Sequence, residues 1–68
     1  MIFTAILTQE PDGGYVAANP ETGTTTQGDT LEESLANLRE ATELYLEEFP
    51  ERHPCAPALM TTFELANA

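Results

Sequence analysis

The sequence predicts an α+β fold with the element order β-β-β-α-β, in which one helix packs on one face of a three- to four-stranded sheet. Three observations predict it: short β-branched segments separated by Pro- and Gly-rich turns, one long amphipathic pattern behind a capping sequence, and an alternating segment near the end. A chain of 68 residues is expected to form a single domain, residues 1–68.

Three strands are predicted in the first half of the chain, at about residues 2–9, 14–19 and 24–28. The sequence Glu-Pro-Asp-Gly-Gly at residues 10–14 predicts a tight turn, because Pro fixes φ, Asp bonds locally and Gly accepts positive φ. The first two strands should therefore form an antiparallel hairpin. A second turn, Asn-Pro-Glu-Thr-Gly at residues 19–23, leads into a threonine-rich third strand.

One helix is predicted at about residues 30–49. Thr30 and Glu33 have the spacing of a capping box, and Pro50 ends the pattern. Acidic residues occupy most of the remaining surface of this helix. Its apolar face is predicted to consist of Leu31, Leu35, Leu38, Thr42, Tyr45 and Phe49, widened by Ala41, Leu44 and Leu46.

A final strand is predicted at about residues 58–65, where apolar and polar side chains alternate. A single helix covers only one face of a sheet, and the first strand carries large apolar groups on both of its sides. The thin core of so short a chain and the uncovered face together predict a homodimer or a larger even oligomer.

The formal net charge is −10, with twelve acidic residues against Arg39 and Arg52. Such a chain repels phosphate backbones and anionic lipids, so direct binding of nucleic acid or of a membrane surface is not expected. A basic protein partner would be attracted. The opening segment lacks the basic region of a signal peptide and no stretch is long enough to span a bilayer, so a cytoplasmic location is expected.

No catalytic, cofactor-binding or metal-binding residues are predicted. His53 is the only histidine and Cys55 the only cysteine, and two ligands do not make a four-coordinate metal site. The acidic residues are explained by a solvated helix face, by a turn at Asp12 and by a cap at Asp29. An enzyme, which would require His53 and Cys55 or two carboxylates to converge, is kept only as a third hypothesis.

Two motifs suggest a family. Residues 12–17 (Asp-Gly-Gly-Tyr-Val-Ala) and residues 26–37, which contain Thr-Gln-Gly-Asp-Thr-Leu-Glu-Glu-Ser, resemble the HicB-like antitoxins over nearly the whole chain. The resemblance implies a partial ribonuclease H-like fold and a role in masking the RNA-binding face of a small basic ribonuclease toxin. Many full-length antitoxins of this family carry a C-terminal DNA-binding domain, which is not expected here. Residues 20–24 replace the family's Leu-Pro-Gly-Cys-like segment.

The leading hypothesis is therefore a HicB-like protein-binding module in a toxin–antitoxin system, without catalytic activity. The residues nominated for contact with the partner are Glu10, Asp12, Tyr15 and Glu21, near the two turns. The alternative is a stand-alone homo-oligomeric scaffold or regulatory domain with no toxin partner, because both hypotheses require the same exposed face of the sheet.

Overall fold

The computed structural model describes residues 2–52 and 57–66, and its fold is α+β as the sequence predicts. The three strands form one antiparallel sheet in the order β1-β2-β3. His53 and Cys55, with the predictions made about them, lie outside the described residues. The elements are β1 (Ile6–Gln9), β2 (Tyr15–Asn19), β3 (Thr24–Gly28), helix α1 (Leu31–Glu48) and a 3-10 turn (Pro50–Arg52).

The first strand is shorter than predicted. Its pairing with β2 begins at Ile6, opposite Ala18, and does not extend back to residue 2. The reason is that β2 turns away at Pro20, which has no N–H to continue a ladder. Beyond Ile6, side chains replace the missing strand partner: the carbonyl oxygen of Thr4 accepts the amide of Asn19 at 2.7 Å.

Helix α1 has the predicted bounds because Thr30 and Glu33 form the capping hydrogen bonds that their spacing predicts. Thr30 is the N-cap, with φ −127° and ψ 165°, and its hydroxyl accepts the backbone N–H of Glu33 at 3.0 Å. The Glu33 carboxylate reaches back to the N–H of Asp29, one residue before the cap, at 3.4 Å. At the other end Phe49 is the C-cap, and Pro50 begins the 3-10 turn.

The helix lies over β3 and, to a lesser extent, over the central strand β2, and leaves β1 largely uncovered. Its first turns are tied to β3 by two hydrogen bonds: the Thr26 hydroxyl donates to the Ser34 carbonyl at 3.0 Å, and the Asn37 amide donates to the Gln27 carbonyl at 2.8 Å. Gly28 allows this close approach, because a Cβ atom there would stand 2.5 Å from the backbone nitrogen of Ser34. The N-terminal half of the helix is therefore clamped to the edge strand β3.

The buried core is small and partly polar. Among the described residues its apolar members are Ala17 and Leu38, which are 0 % and 4 % exposed. Asn19, Ser34 and Thr42 are also buried. The buried stripe of α1 thus runs through Ser34, Leu38 and Thr42, whereas the predicted members Leu31 and Leu35 are 46 % and 41 % exposed. The stripe is rotated because the clamp to β3 places the small side chain of Ser34 against the sheet.

The face of the sheet that the helix does not cover is only half apolar. The strand register and the alternation of side chains place six residues on it. The expectation of a large apolar face therefore needs correction, since polar side chains occupy half of these positions. The six are Ile6, Thr8, Val16, Ala18, Thr25 and Gln27.

The predicted strand at residues 58–65 is wrong: the structure assigns no strand there, and all of residues 57–66 are exposed. Alternating side chains favour a strand only when a neighbouring edge supplies backbone partners. Among the described residues of this segment, Ala58 is hydrogen-bonded to the rest of the chain: its carbonyl accepts the Thr4 hydroxyl at 3.2 Å and its N–H donates to the Glu21 carboxylate at 2.5 Å. The described sheet has three strands, and its β1 edge is not covered by this segment.

Candidate functional site

A groove of about 710 Å³ lies where the turn between β1 and β2 meets the junction between β3 and α1. We call it the acidic groove, because four of its lining residues are carboxylates and none is basic. Its lining consists of Glu10, Pro11, Asp12, Gly14 and Tyr15 from the turn and of Gln27, Gly28, Asp29 and Glu33 from the junction.

The turn side of the acidic groove is fixed by local hydrogen bonds. The N–H of Glu10 donates to the Gly14 carbonyl at 2.7 Å, and the N–H of Gly13 donates to the Glu10 carbonyl at 3.0 Å. Gly13 has φ 100°, which suits a residue without a Cβ atom. The Asp12 carboxylate accepts the N–H of Gly14 at 3.2 Å, so the tip of the turn holds its own acid in place.

The junction side is set by the start of the helix. Tyr15 pairs with Gly28 in the sheet, which brings the turn beside the β3–α1 junction. Asp29 and Glu33 are joined by the hydrogen bond that closes the helix cap. The positive end of the helix dipole therefore already faces acidic side chains of the same chain, which include Glu32 and Glu33 in the first turn.

The electrostatic consequence is a concave surface that favours cations. Four carboxylates that share one groove without a basic neighbour attract ammonium and guanidinium groups and repel phosphate. Within residues 2–52 and 57–66, no three His, Cys, Asp or Glu side chains are grouped so that they could hold a metal ion. The groove is therefore a concave surface lined by carboxylates and by no basic side chain.

A second polar cluster lies at the other end of β2, around Asn19. This side chain is 1 % exposed, and its amide nitrogen donates to the carbonyl of Thr4 at 2.7 Å and to the carboxylate of Glu21 at 2.6 Å. Its amide oxygen accepts the N–H and the hydroxyl of Thr22 at 2.8 and 2.6 Å. The Thr22 hydroxyl is also hydrogen-bonded to that of Thr24. Asn19 therefore organises the whole β2–β3 turn.

Glu21 joins three distant parts of the chain. Its carboxylate accepts the N–H of Thr4 at 2.8 Å and the N–H of Ala58 at 2.5 Å, besides the amide of Asn19. The hydrogen bond from the Thr4 backbone is the main reason that the pKa of Glu21 is lowered from 4.5 to about 2; the Ala58 backbone adds to it, and partial desolvation opposes it. Glu21 is therefore ionised and internally bonded at neutral pH.

A second groove, of about 500 Å³, lies between residues 2–5 and one side of α1. We call it the apolar groove. It exists because the helix sits over β3 and β2, which leaves the surface towards β1 uncovered. Leu7 of β1 is 37 % exposed for the same reason. The apolar groove is lined by Ile2, Phe3, Thr4, Ala5, Asn19, Leu35, Leu38, Arg39, Thr42 and Glu43.

A family of unknown function, DUF7387, matches residues 4–63 of the chain. The chain belongs to this family. The matched region includes all the residues that line the acidic groove and eight of the ten that line the apolar groove; Ile2 and Phe3 precede it.

Two curated relatives are described only as UPF0150 proteins. UPF0150 protein ssr1765 of Synechocystis is 45 % identical over 56 residues, which cover 81 % of this chain and 71 % of the relative. UPF0150 protein Ta0767 of Thermoplasma acidophilum is 38 % identical over 58 residues, which cover 84 % of each. No solved structure matches the chain significantly. These matches establish membership of a family without assigned function, and the resemblance to HicB-like antitoxins remains a prediction.

The structure brings three of the four nominated residues together. Glu10, Asp12 and Tyr15 line the acidic groove, whereas Glu21 lies at the opposite end of β2 and bonds within the chain. The sequence predicts only helix capping for Asp29 and Glu33. Their position in the acidic groove depends on the strand register, which sets Tyr15 opposite Gly28. Separately, no helix among the described residues combines the length and apolarity needed to cross a membrane.

Proposed function

We propose that this chain is a non-catalytic protein-binding module of the HicB-like antitoxin type. It neutralises a small basic ribonuclease toxin by masking the toxin's RNA-binding face. The proposal places both proteins in the cytoplasm, where the toxin would meet its RNA.

The acidic groove carries the proposal. A toxin face that binds RNA presents Lys and Arg side chains to phosphate, and four carboxylates offer the same groups an alternative partner. Arg binds carboxylates through two parallel hydrogen bonds, which adds geometric specificity to the attraction. The net charge of −10 supports fast, salt-dependent association with a basic partner.

The aromatic ring at the groove supports the same proposal. Tyr15 is half-buried beside the acids, so it offers both apolar area and a hydroxyl to a partner. Tyrosine and arginine are enriched among the residues that dominate binding energy at protein interfaces. The proposed contact is therefore centred on Glu10, Asp12 and Tyr15, with Asp29 and Glu33 at its side.

The test begins with the reading frame adjacent to this gene. If it encodes a small basic protein, the two proteins are co-expressed, their complex is isolated, and RNA cleavage by the neighbour is measured with and without this chain. We expect a stable complex, inhibition of cleavage by the chain, and an affinity that falls steeply with salt.

The decisive variant neutralises the groove without disturbing the fold. Gln and Asn retain the oxygen acceptors that Asp12 offers to the turn and Glu33 to the cap. The variant is Glu10→Gln, Asp12→Asn, Asp29→Asn and Glu33→Gln. We expect it to lose inhibition of the ribonuclease.

A matched control removes the same four charges elsewhere, from exposed residues at the C-terminal half of the helix and just beyond it. It combines Glu40→Gln, Glu47→Gln, Glu48→Gln and Glu51→Gln. The control should still inhibit. If the two variants weaken inhibition equally, net charge rather than the groove is responsible, and the proposed contact is wrong.

A stand-alone homo-oligomeric scaffold or regulatory domain is the second candidate. The exposed apolar side chains of residues 57–66 favour it, because they require a protein surface rather than a charged partner. If co-purification recovers no basic partner and the purified chain is a stable oligomer, this second function replaces the first.

A further inference from the structure

We infer that residues 59–65 add a strand to the β1 edge of a second copy of this chain and place their apolar side chains over that copy's apolar groove. This inference does not depend on the proposed function. It rests on three features of the described residues: an exposed apolar segment, an open strand edge, and a groove beside that edge.

The segment exposes a series of large apolar side chains. Leu59 is 100 % exposed, Phe63 84 %, Leu65 63 % and Met60 62 %. Single exposed hydrophobic residues are common on protein surfaces. Four large ones within seven consecutive positions form an exposed apolar patch, which is typical of an interaction site.

The segment also extends away from the body of the molecule. Ala58 is held by the Glu21 carboxylate and the Thr4 hydroxyl, and after Ala58 the described residues make no hydrogen bond to the sheet or to α1. The radius of gyration is 13.7 Å, against about 11 Å for a compact chain of 68 residues. The segment is therefore anchored at Ala58, and the apolar side chains that follow Ala58 are exposed.

The β1 edge is suited to receive a strand. β1 pairs only with β2, so the N–H and C=O groups on its other side have no strand partner among the described residues. Residues 59–65 contain no proline, so each can donate its N–H to such a ladder. Extended peptides bind open edges in this way, with backbone bonds for affinity and alternate side chains for specificity.

The alternation of the segment matches the surface beside that edge. Leu59, Phe63 and Leu65 share one face of a strand, with Thr61 between them, and Met60, Thr62 and Glu64 lie on the other face. A strand beside β1 that directs the apolar face towards the helix would cover Leu7 and the apolar groove. The acidic groove and the apolar groove share no lining residue.

A second copy is the occupant for two reasons. Ala58 already lies beside Thr4, so pairing of the segment with its own β1 would need no loop closure, yet it does not form. A reciprocal exchange, in contrast, satisfies both segments and both edges at once. With the strand backbone and the side chains of Leu59, Phe63 and Leu65 from each copy, it would bury on the order of 1,500 Å², within the ~1,200–2,000 Å² of stable interfaces.

The test measures the oligomeric state of the full chain by sedimentation over a range of concentrations. We expect a dimer for the wild type and, for Leu59→Asp, a dimer dissociation constant raised about 100-fold. Leu44→Asp is the matched control, because Leu44 is 57 % exposed on α1 and lines neither groove. Far-ultraviolet circular dichroism establishes that each variant keeps its helix.

Hydrogen exchange distinguishes exchange between copies from closure within one chain. If the segment binds a second copy, the amides of residues 59–65 become protected only at concentrations where the dimer forms. If the amides of residues 59–65 are already fully protected from exchange in the dilute monomer, the segment pairs within its own chain and the inference is wrong. A wild type that stays monomeric at all concentrations overturns it as well, as does a Leu44→Asp variant that dissociates as readily as Leu59→Asp.

Discussion

The carboxylate of Glu21 accepts the backbone N–H of Ala58 at 2.5 Å, and the same carboxylate accepts the backbone N–H of Thr4 at 2.8 Å. One side chain in a turn thus fastens the start of the chain and the segment after the helix to each other. The most direct consequence is a pH dependence.

Because the pKa of Glu21 is lowered from 4.5 to about 2, its contribution to stability is fully present above about pH 4.5 and is lost as the pH falls towards 2. We expect Glu21→Gln to lower the urea midpoint at pH 7, and we expect its difference from the wild type to shrink as the pH falls through this window. Glu48→Gln, an exposed control, should track the wild type. A difference that stays constant down to pH 2 would contradict the role assigned to the carboxylate.

Gly28→Ala should destabilise the protein by about 1–3 kcal/mol. The added Cβ would stand 2.5 Å from the nitrogen and 2.9 Å from the Cα of Ser34, and backbone atoms cannot move aside without shifting the helix. Gly14→Ala is the matched control, since its Cβ would meet only the Gly28 carbonyl oxygen at 3.3 Å and the Asp12 carboxylate at 3.7 Å. Chemical denaturation compares the two, and equal losses would show that the clamp between β3 and α1 is looser than described.

Leu38→Ala should cost about 2–5 kcal/mol, because Leu38 is 4 % exposed and is the one large apolar side chain buried among the described residues. A small domain has a total stability of about 5 kcal/mol, so the variant should be largely unfolded at elevated temperature. Leu44→Ala removes the same atoms from a side chain that is 57 % exposed and should change the melting temperature little. Similar melting temperatures for the two variants would show that the core lies elsewhere.

Asn19→Ala should cost about 2–4 kcal/mol, because it leaves the Thr4 carbonyl and the Thr22 N–H without their partners in a buried site. Asn37→Ala is the comparison: it also removes an amide that bonds a backbone carbonyl, but at an exposed position. The free energies of unfolding from urea titrations should differ clearly between the two. If they do not, the Asn19 cluster is solvated and does not organise the turn.

The parts of the fold that the sequence predicts well are those with local causes. The helix bounds follow from Thr30, Glu33 and Pro50, and the β1–β2 turn follows from Pro11, Asp12 and Gly13, which all act within a few residues. For the same reason Glu10, Asp12 and Tyr15 of the nominated site lie together.

The parts that the sequence does not predict depend on distant partners. The alternation after Ala58 indicates a strand, but whether it forms depends on an edge elsewhere. The burial of Ser34 in place of Leu35 depends on the contact with Gly28. The charge of Glu21 and its position in a turn predict contact with a partner, whereas its hydrogen bonds to Thr4 and Ala58 arise only when the chain has folded.

The sheet order also has a kinetic consequence. Each regular element packs on the one that precedes it in the chain, so β1, β2, β3 and α1 can assemble through short loops. Domains rich in such local contacts fold faster than domains of similar size that depend on distant pairings. The bond between Thr4 and Ala58, 54 positions apart, closes the longest loop described. We expect this fastening to form last and to open first, so that the final segment is released for exchange without unfolding of the remaining structure.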